Sequence, residues 1–187
     1  MLIHFLTLLL AAHQRWPQYD IAKVARAVWY AVDEAGNDPA KAALFVAITE
    51  HESSFEPFTF SYKLPKASRV DVVLASPEIP AGYPAASFCG YMSSMAASHE
   101  ACSAMLASDG GIAQGSRELT AWSETCRRNG HHELGCVLRG TAGGTACALR
   151  SECKPEHAAF ARWFASVAED LERRERQPAQ HALRTEN

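Results

Sequence analysis

The sequence predicts a mainly α domain, interrupted by one long loop and stapled by disulfides. Three observations predict it. Apolar residues recur at helical spacing in several segments, most of them opened by a capping residue. A proline-rich stretch separates the first helices from the later ones. All six cysteines, Cys89, Cys102, Cys126, Cys136, Cys147 and Cys153, lie between positions 89 and 153. An even count at this density points to up to three disulfides and an oxidising compartment, with every pairing left open. No Cys-x-x-Cys pair is present and no His sits at finger spacing, so zinc is the weaker reading. No cofactor and no metal are expected.

At 187 residues and 48% apolar content, the chain can bury one real core and is not a disordered segment. A net charge of -3, with Lys and Arg scattered, argues against nucleic acid as a partner. Residues 1–16 open with the apolar run MLIHFLTLLLAA. That run is too short to cross a bilayer, so no membrane span is expected. It has the length of a signal-peptide core and ends in Ala11 and Ala12, but no Lys or Arg precedes it. It reads either as an atypical signal or as an N-terminal apolar helix, and the cysteines favour export. Residues 17–170 form the domain, and 171–187 a polar C-terminal tail.

Taken in order, Asp20 caps a helix running to about residue 34, with Gly36 just past its end. Its stripe is Ile21, Val24, Ala25, Val28 and Val32. Asp38 and Pro39 then open a second helix, which should pair with the first as an antiparallel hairpin. This second helix is apolar nearly all round, so it belongs in a core. It ends in Glu50, His51, Glu52 and Ser53. Glu52 falls on the face of Leu44, Phe45 and Ile48, one turn after Ile48, whereas Glu50 points the opposite way. Apolar neighbours and the negative end of the helix dipole would favour the neutral form of Glu52. A neutral carboxylic acid is what glycoside cleavage needs as its general acid.

From residue 57 to 91 the prolines break any helix, and the stretch reads as a long loop insertion with one short strand at residues 70–74. Phe60, Tyr62, Tyr83 and Tyr91 either stack against sugar rings or pin that loop to the body. Residues 92–106 read as a helix and 108–111 as a turn. Residues 116–128 read as a helix capped by Ser116, with Leu119 and Trp122 inward. His131, His132 and Glu133 read as solvated loop rather than metal ligands. The Gly- and Ala-rich stretch from 136 to 153 must be held by its cysteines. Pro155 opens a last helix with Ala158, Ala161, Phe164, Ala168 and Leu171 inward, and after Glu169 the chain turns polar.

The segment Ala47-Ile48-Thr49-Glu50-His51-Glu52-Ser53-Ser54-Phe55-Glu56-Pro57 resembles the helix end of the lytic transglycosylases and goose-type lysozymes, the SLT-like domain. Gly111-Ile112-Ala113-Gln114 is similar to that family's Gly-x-x-Gln block and lies in the same order. The family's Ala-x-Tyr-Asn-x-Gly segment has no counterpart. The gap of 59 positions from Glu52 to Gly111 is longer than the family usually shows. The resemblance implies a lysozyme-like helical domain with the 57–91 loop insertion. It also implies a periplasmic or extracellular peptidoglycan lytic transglycosylase acting on peptidoglycan glycan strands. Glu52 would then be the single acid and base at the bond between N-acetylmuramic acid and N-acetylglucosamine. Ser53, Gly111, Ile112 and Gln114 would contact substrate, and Tyr62, from the aromatic faces of the loop, is placed with them. Asp71 and Asp109 are the nearest candidates for a second acid. The alternative is a non-catalytic wall-binding or secreted structural module on the same scaffold.

Overall fold

The computed structural model describes residues 1–36, 38–63, 69–84, 88–150 and 152–185. Among them, seven helices and one small sheet follow in the order α1 (Leu2–Arg15), α2 (Ile21–Ala35), α3 (Pro39–Ser53), β1 (Thr59–Lys63), β2 (Arg69–Val73), β3 (Phe88–Cys89), β4 (Ser94–Met95), α4 (His99–Ala107), α5 (Ile112–Arg128), α6 (Leu134–Arg150) and α7 (Pro155–Thr185). The fold is mainly helical, as the periodicity predicts.

The first three helices form where local chemistry asks for them. The Asp20 carboxylate accepts from the backbone N–H groups of Ala22 and Lys23, and Gly36 ends α2 at φ 65°. Asp38 does the same for α3, accepting from Lys41, and Pro39 fills the first turn. From Ala42 to Thr49 every residue of α3 is buried. It packs against α2 and α7, and is the central rod of the main core.

The apolar run at the N-terminus is a packed helix. Leu8, Ala11 and Ala12 of α1 are buried against the core, and Arg15 pairs with Asp170 of α7. Burial opposes a charge on Asp170, but the guanidiniums of Arg174, Arg173 and Arg15 outweigh it and hold its carboxyl down to about 2. The Thr7 hydroxyl also donates to Glu175 at 2.9 Å. These contacts carry α7 past residue 170, where the sequence suggests a polar tail. Leu171 is fully buried. The side chains beyond residue 176, including the frayed end expected there, lie outside the described residues.

The 57–91 stretch, expected as a long loop with one short strand at residues 70–74, holds that strand as β2 and also β1 and β3, the core of a four-stranded sheet with order β2-β1-β3-β4. The β1–β2 hairpin pairs antiparallel with Ser61 opposite Asp71 and Thr59 opposite Val73. Period-2 alternation sends Phe60, Tyr62 and Val72 to one face, where they meet Leu106 and Cys102 in a second, smaller core. It leaves Thr59, Ser61, Asp71 and Arg69 on the other face.

Residues 92–98 do not join α4, because Ser94 and Met95 pair with β3 and the Ser98 hydroxyl caps the helix one residue before His99. α5 starts at Ile112, four residues before the expected cap. The Asp109 carboxylate accepts from the N–H groups of Gly111 and Ala113 and so supplies the cap. α6 is helical despite its glycines, because Gly140 lets the Trp122 ring lie against it, and it kinks at Gly144.

The cysteines pair between sequence neighbours. Cys89–Cys102 ties β3 to α4, Cys126–Cys136 staples the α5–α6 turn, and Cys147–Cys153 closes the corner leading into α7.

One glycine fixes how the sheet meets α5. Gly90 has φ 72°, and a Cβ there would fall 1.8 Å from the Gly110 carbonyl oxygen. Gly82 has φ 103° but faces open space. Gly90→Ala is therefore expected to cost at least about 2 kcal/mol in urea unfolding, and Gly82→Ala about 1 kcal/mol from backbone strain alone. Equal losses would mean that the close approach to Gly110 carries no weight.

Candidate active site

The end of α3 is a strained corner. Ser54 and Phe55 both take left-handed conformations, at φ 51° and 63°, although neither is glycine. Phe55 is fully buried, in T-shaped contact with Trp16 and Tyr19 at 5.5 and 5.2 Å between ring centres. That packing over-determines the corner, which fixes the direction in which Glu52 and Ser53 leave the core.

Glu50 and Glu52 have different partners. Glu50 accepts a hydrogen bond from the Tyr19 hydroxyl at 2.9 Å. Burial, and after it the Glu50 carboxylate, push the Tyr19 hydroxyl up and keep it a donor. Glu52 turns into open space, its side chain 25% exposed, where Oε2 lies 3.6 Å from Nη1 of Arg69. The helix pattern anticipates apolar neighbours for Glu52. The structure corrects this on one side, because the hairpin swings a guanidinium onto it.

Arg69 is fixed from several directions. Its Nε donates to Asp71 at 2.6 Å and its Nη2 to the Ser93 hydroxyl at 2.8 Å. The guanidinium also lies over the Phe88 ring, 5.4 Å from its centre. Ser93 is itself left-handed at φ 52°, in the turn between β3 and β4. Strands, turn and helix end thus converge on one cation and two carboxylates, Glu52 and Asp71.

Two clefts meet there. One, of about 470 Å³, opens toward α5, α6 and α7, with Ile48, Met92, Trp122, His157 and Phe164 on its walls. The other, of about 320 Å³, runs along the polar face of the hairpin past Thr59, Ser61 and Asp71. Glu52, Arg69, Phe88 and Ser93 line both. Among the described residues, Glu52 is the one carboxylate common to the two.

The remaining sequence candidates are distributed unevenly. Ser53 lines the hairpin cleft, but its hydroxyl donates back to the Thr49 carbonyl at 2.8 Å. Gly111 and Ile112 are buried beneath the sheet–α5 junction, where the Gly111 carbonyl accepts from Ser94. Gln114 is held by its own helix. Its carbonyl accepts from Arg117 and its amide donates to Glu118 at 3.1 Å. Glu118 lines the larger cleft, so Gln114 is one step removed from it. Tyr62 stacks on Phe60 at 6.1 Å, away from both clefts, and pins the hairpin. Asp109 is spent on capping α5, while Asp71 stands beside Arg69.

Sequence reasoning missed Arg69, Ser93 and Trp122 as cleft residues. The alternation of Arg69, Asp71 and Val73 against Val70 and Val72 was the available signal for the first. No family model, curated protein or solved structure matches the chain.

Proposed function

We propose that the protein is an exported enzyme that cleaves peptidoglycan glycan strands, with Glu52 as the acid and base. The observation that carries this reading is the position of Glu52 at the meeting point of two clefts. A sugar strand laid through both would cross Glu52 at one glycosidic bond, with rings bound on either side. The three disulfides support the exported setting.

In the proposed reaction Glu52 protonates the leaving glycosidic oxygen as the bond to the anomeric carbon breaks. The Arg69 guanidinium, 3.6 Å from that carboxyl, would lie beside the same glycosidic bond. The carboxylate left behind then takes a proton from the nucleophile. The muramic 6-hydroxyl, already held by the substrate, is favoured in that role. An oriented internal nucleophile can reach an effective molarity of about 10⁵–10⁸ M. The product is a 1,6-anhydromuramoyl end.

Asp71 favours a second reading, hydrolysis. It shares a guanidinium with Glu52, so the two carboxylates stand near one another across it. Inverting glycosidases place a water between two carboxyl groups roughly 6.5–9.5 Å apart. Against this reading, Asp71 Oδ1 is occupied by Arg69.

Clearing of a cell-wall suspension tests the proposal. Wild-type protein should clear it, and Asp71→Asn should clear it at a similar rate if the 6-hydroxyl is the nucleophile. Loss of clearing in Asp71→Asn, with reducing ends formed by wild type, would move the assignment to hydrolysis. Protein that sediments with wall but clears nothing is a binding module.

A further inference from the structure

We propose that Arg69 is a specificity-determining residue that selects glycans bearing a carboxylate beside the scissile bond. The inference rests on the glycan-binding reading of the two clefts, and goes beyond it by naming the feature of the sugar that the site reads.

The argument starts from how the guanidinium is spent. Asp71 takes the Nε hydrogen and Ser93 takes one on Nη2. That leaves the two Nη1 hydrogens and one on Nη2 without a hydrogen bond among the described residues. The contact of Nη1 with Glu52, at 3.6 Å, is an ion pair too long for a hydrogen bond. The planar fork of an Arg is built to take a carboxylate on two parallel N–H groups. Here one edge of the fork is clamped by the hairpin and the turn, and the other faces the place where the clefts join. At 35% exposure the side chain is reachable but not free to swing.

A second observation lies on the same cleft wall. Ser61 is 1% exposed and pairs across the strands with Asp71, and its hydroxyl oxygen has no hydrogen-bond partner among the described residues. A buried hydroxyl without a partner costs stability. Beside the hairpin cleft, a ligand oxygen would satisfy it. An unused fork and an unpaired hydroxyl on one strand face suit a sugar carrying both an acid and hydroxyls. In peptidoglycan strands stripped of their stem peptides the lactyl group of N-acetylmuramic acid is such an acid, whereas in peptide-bearing strands that carboxyl is an amide and chitin chains carry none. An acid that takes Nη1 would share that cation with Glu52, which places the sugar's acid next to the scissile bond.

The test is binding to the Glu52→Gln variant, which cannot turn over. The probes are N-acetylglucosaminyl-N-acetylmuramic acid, the same disaccharide with its lactyl carboxyl converted to the amide, and diacetylchitobiose. Calorimetry should give the acid an affinity roughly 10- to 100-fold above the amide and chitobiose, as a hydrogen-bonded charge contributes. Adding Arg69→Gln should collapse that ratio to about one, and Arg69→Lys should keep part of it. The amide arm needs no second variant, so a poorly folded Arg69 protein does not spoil the test. Equal affinity for acid and amide, or no binding of any probe, overturns the inference. Wall clearing separates the two claims. Clearing without acid preference leaves the proposed function and removes this inference; acid preference without clearing does the reverse.

Discussion

Glu52→Gln is expected to slow wall clearing by at least roughly 10²–10⁴-fold, the range that acid–base catalysis contributes. The substitution keeps the shape of the side chain and its capacity to hydrogen-bond, but removes the transferable proton. Its cost in stability should be small, below about 1 kcal/mol, because both members of the pair with Arg69 are partly exposed to solvent. Glu50→Gln, two residues away, is the control. The new amide carbonyl would still accept from the Tyr19 hydroxyl, so the helix end should keep its geometry and most of its activity. Equal losses at the two positions would mean that the helix end, and not Glu52, carries the effect.

The second large effect concerns the disulfides. Losing one native bridge from a small exported domain typically costs about 2–5 kcal/mol. Replacing Cys126 and Cys136 together by Ala should lower stability by about 2–3 kcal/mol, since the closed loop is short. Neither Cys126 nor Cys136 lines either cleft, so activity below the melting transition should persist. Cys89–Cys102 is different. It ties β3, and with it Phe88 and Gly90, to α4, so its double Ala variant should lose both stability and activity. Circular dichroism melts and clearing rates separate the two cases. Similar activity losses in both variants would show that the bridges act only through global stability.

Helices α2 and α3 and the candidate carboxylate are legible in the sequence because their causes are local. Asp20, Asp38 and Pro39 act within one turn of themselves, and the apolar run of α3 can only be buried. Glu52 follows from the same periodicity. Arg69 does not. Its place depends on strand pairing between residues 59–63 and 69–73 and on the turn after β3, and no local window contains those contacts. Gln114 fails for a related reason. The Asp109 cap starts α5 at Ile112, so residues three and four positions on, Arg117 and Glu118, capture the Gln114 side chain. Had the helix begun at Ser116, that amide would have stood in a loop. The extent of α7 was hidden too, because what holds residues 170–175 is α1, more than 150 positions earlier.

The most direct measurement is mass spectrometry of the soluble fragments released from purified peptidoglycan. The account predicts muropeptides released by wild type and not by Glu52→Gln, ending in 1,6-anhydromuramoyl groups that are one water lighter than reducing ends. Sedimentation of the protein with the wall, and no glycan fragment in solution, would contradict it.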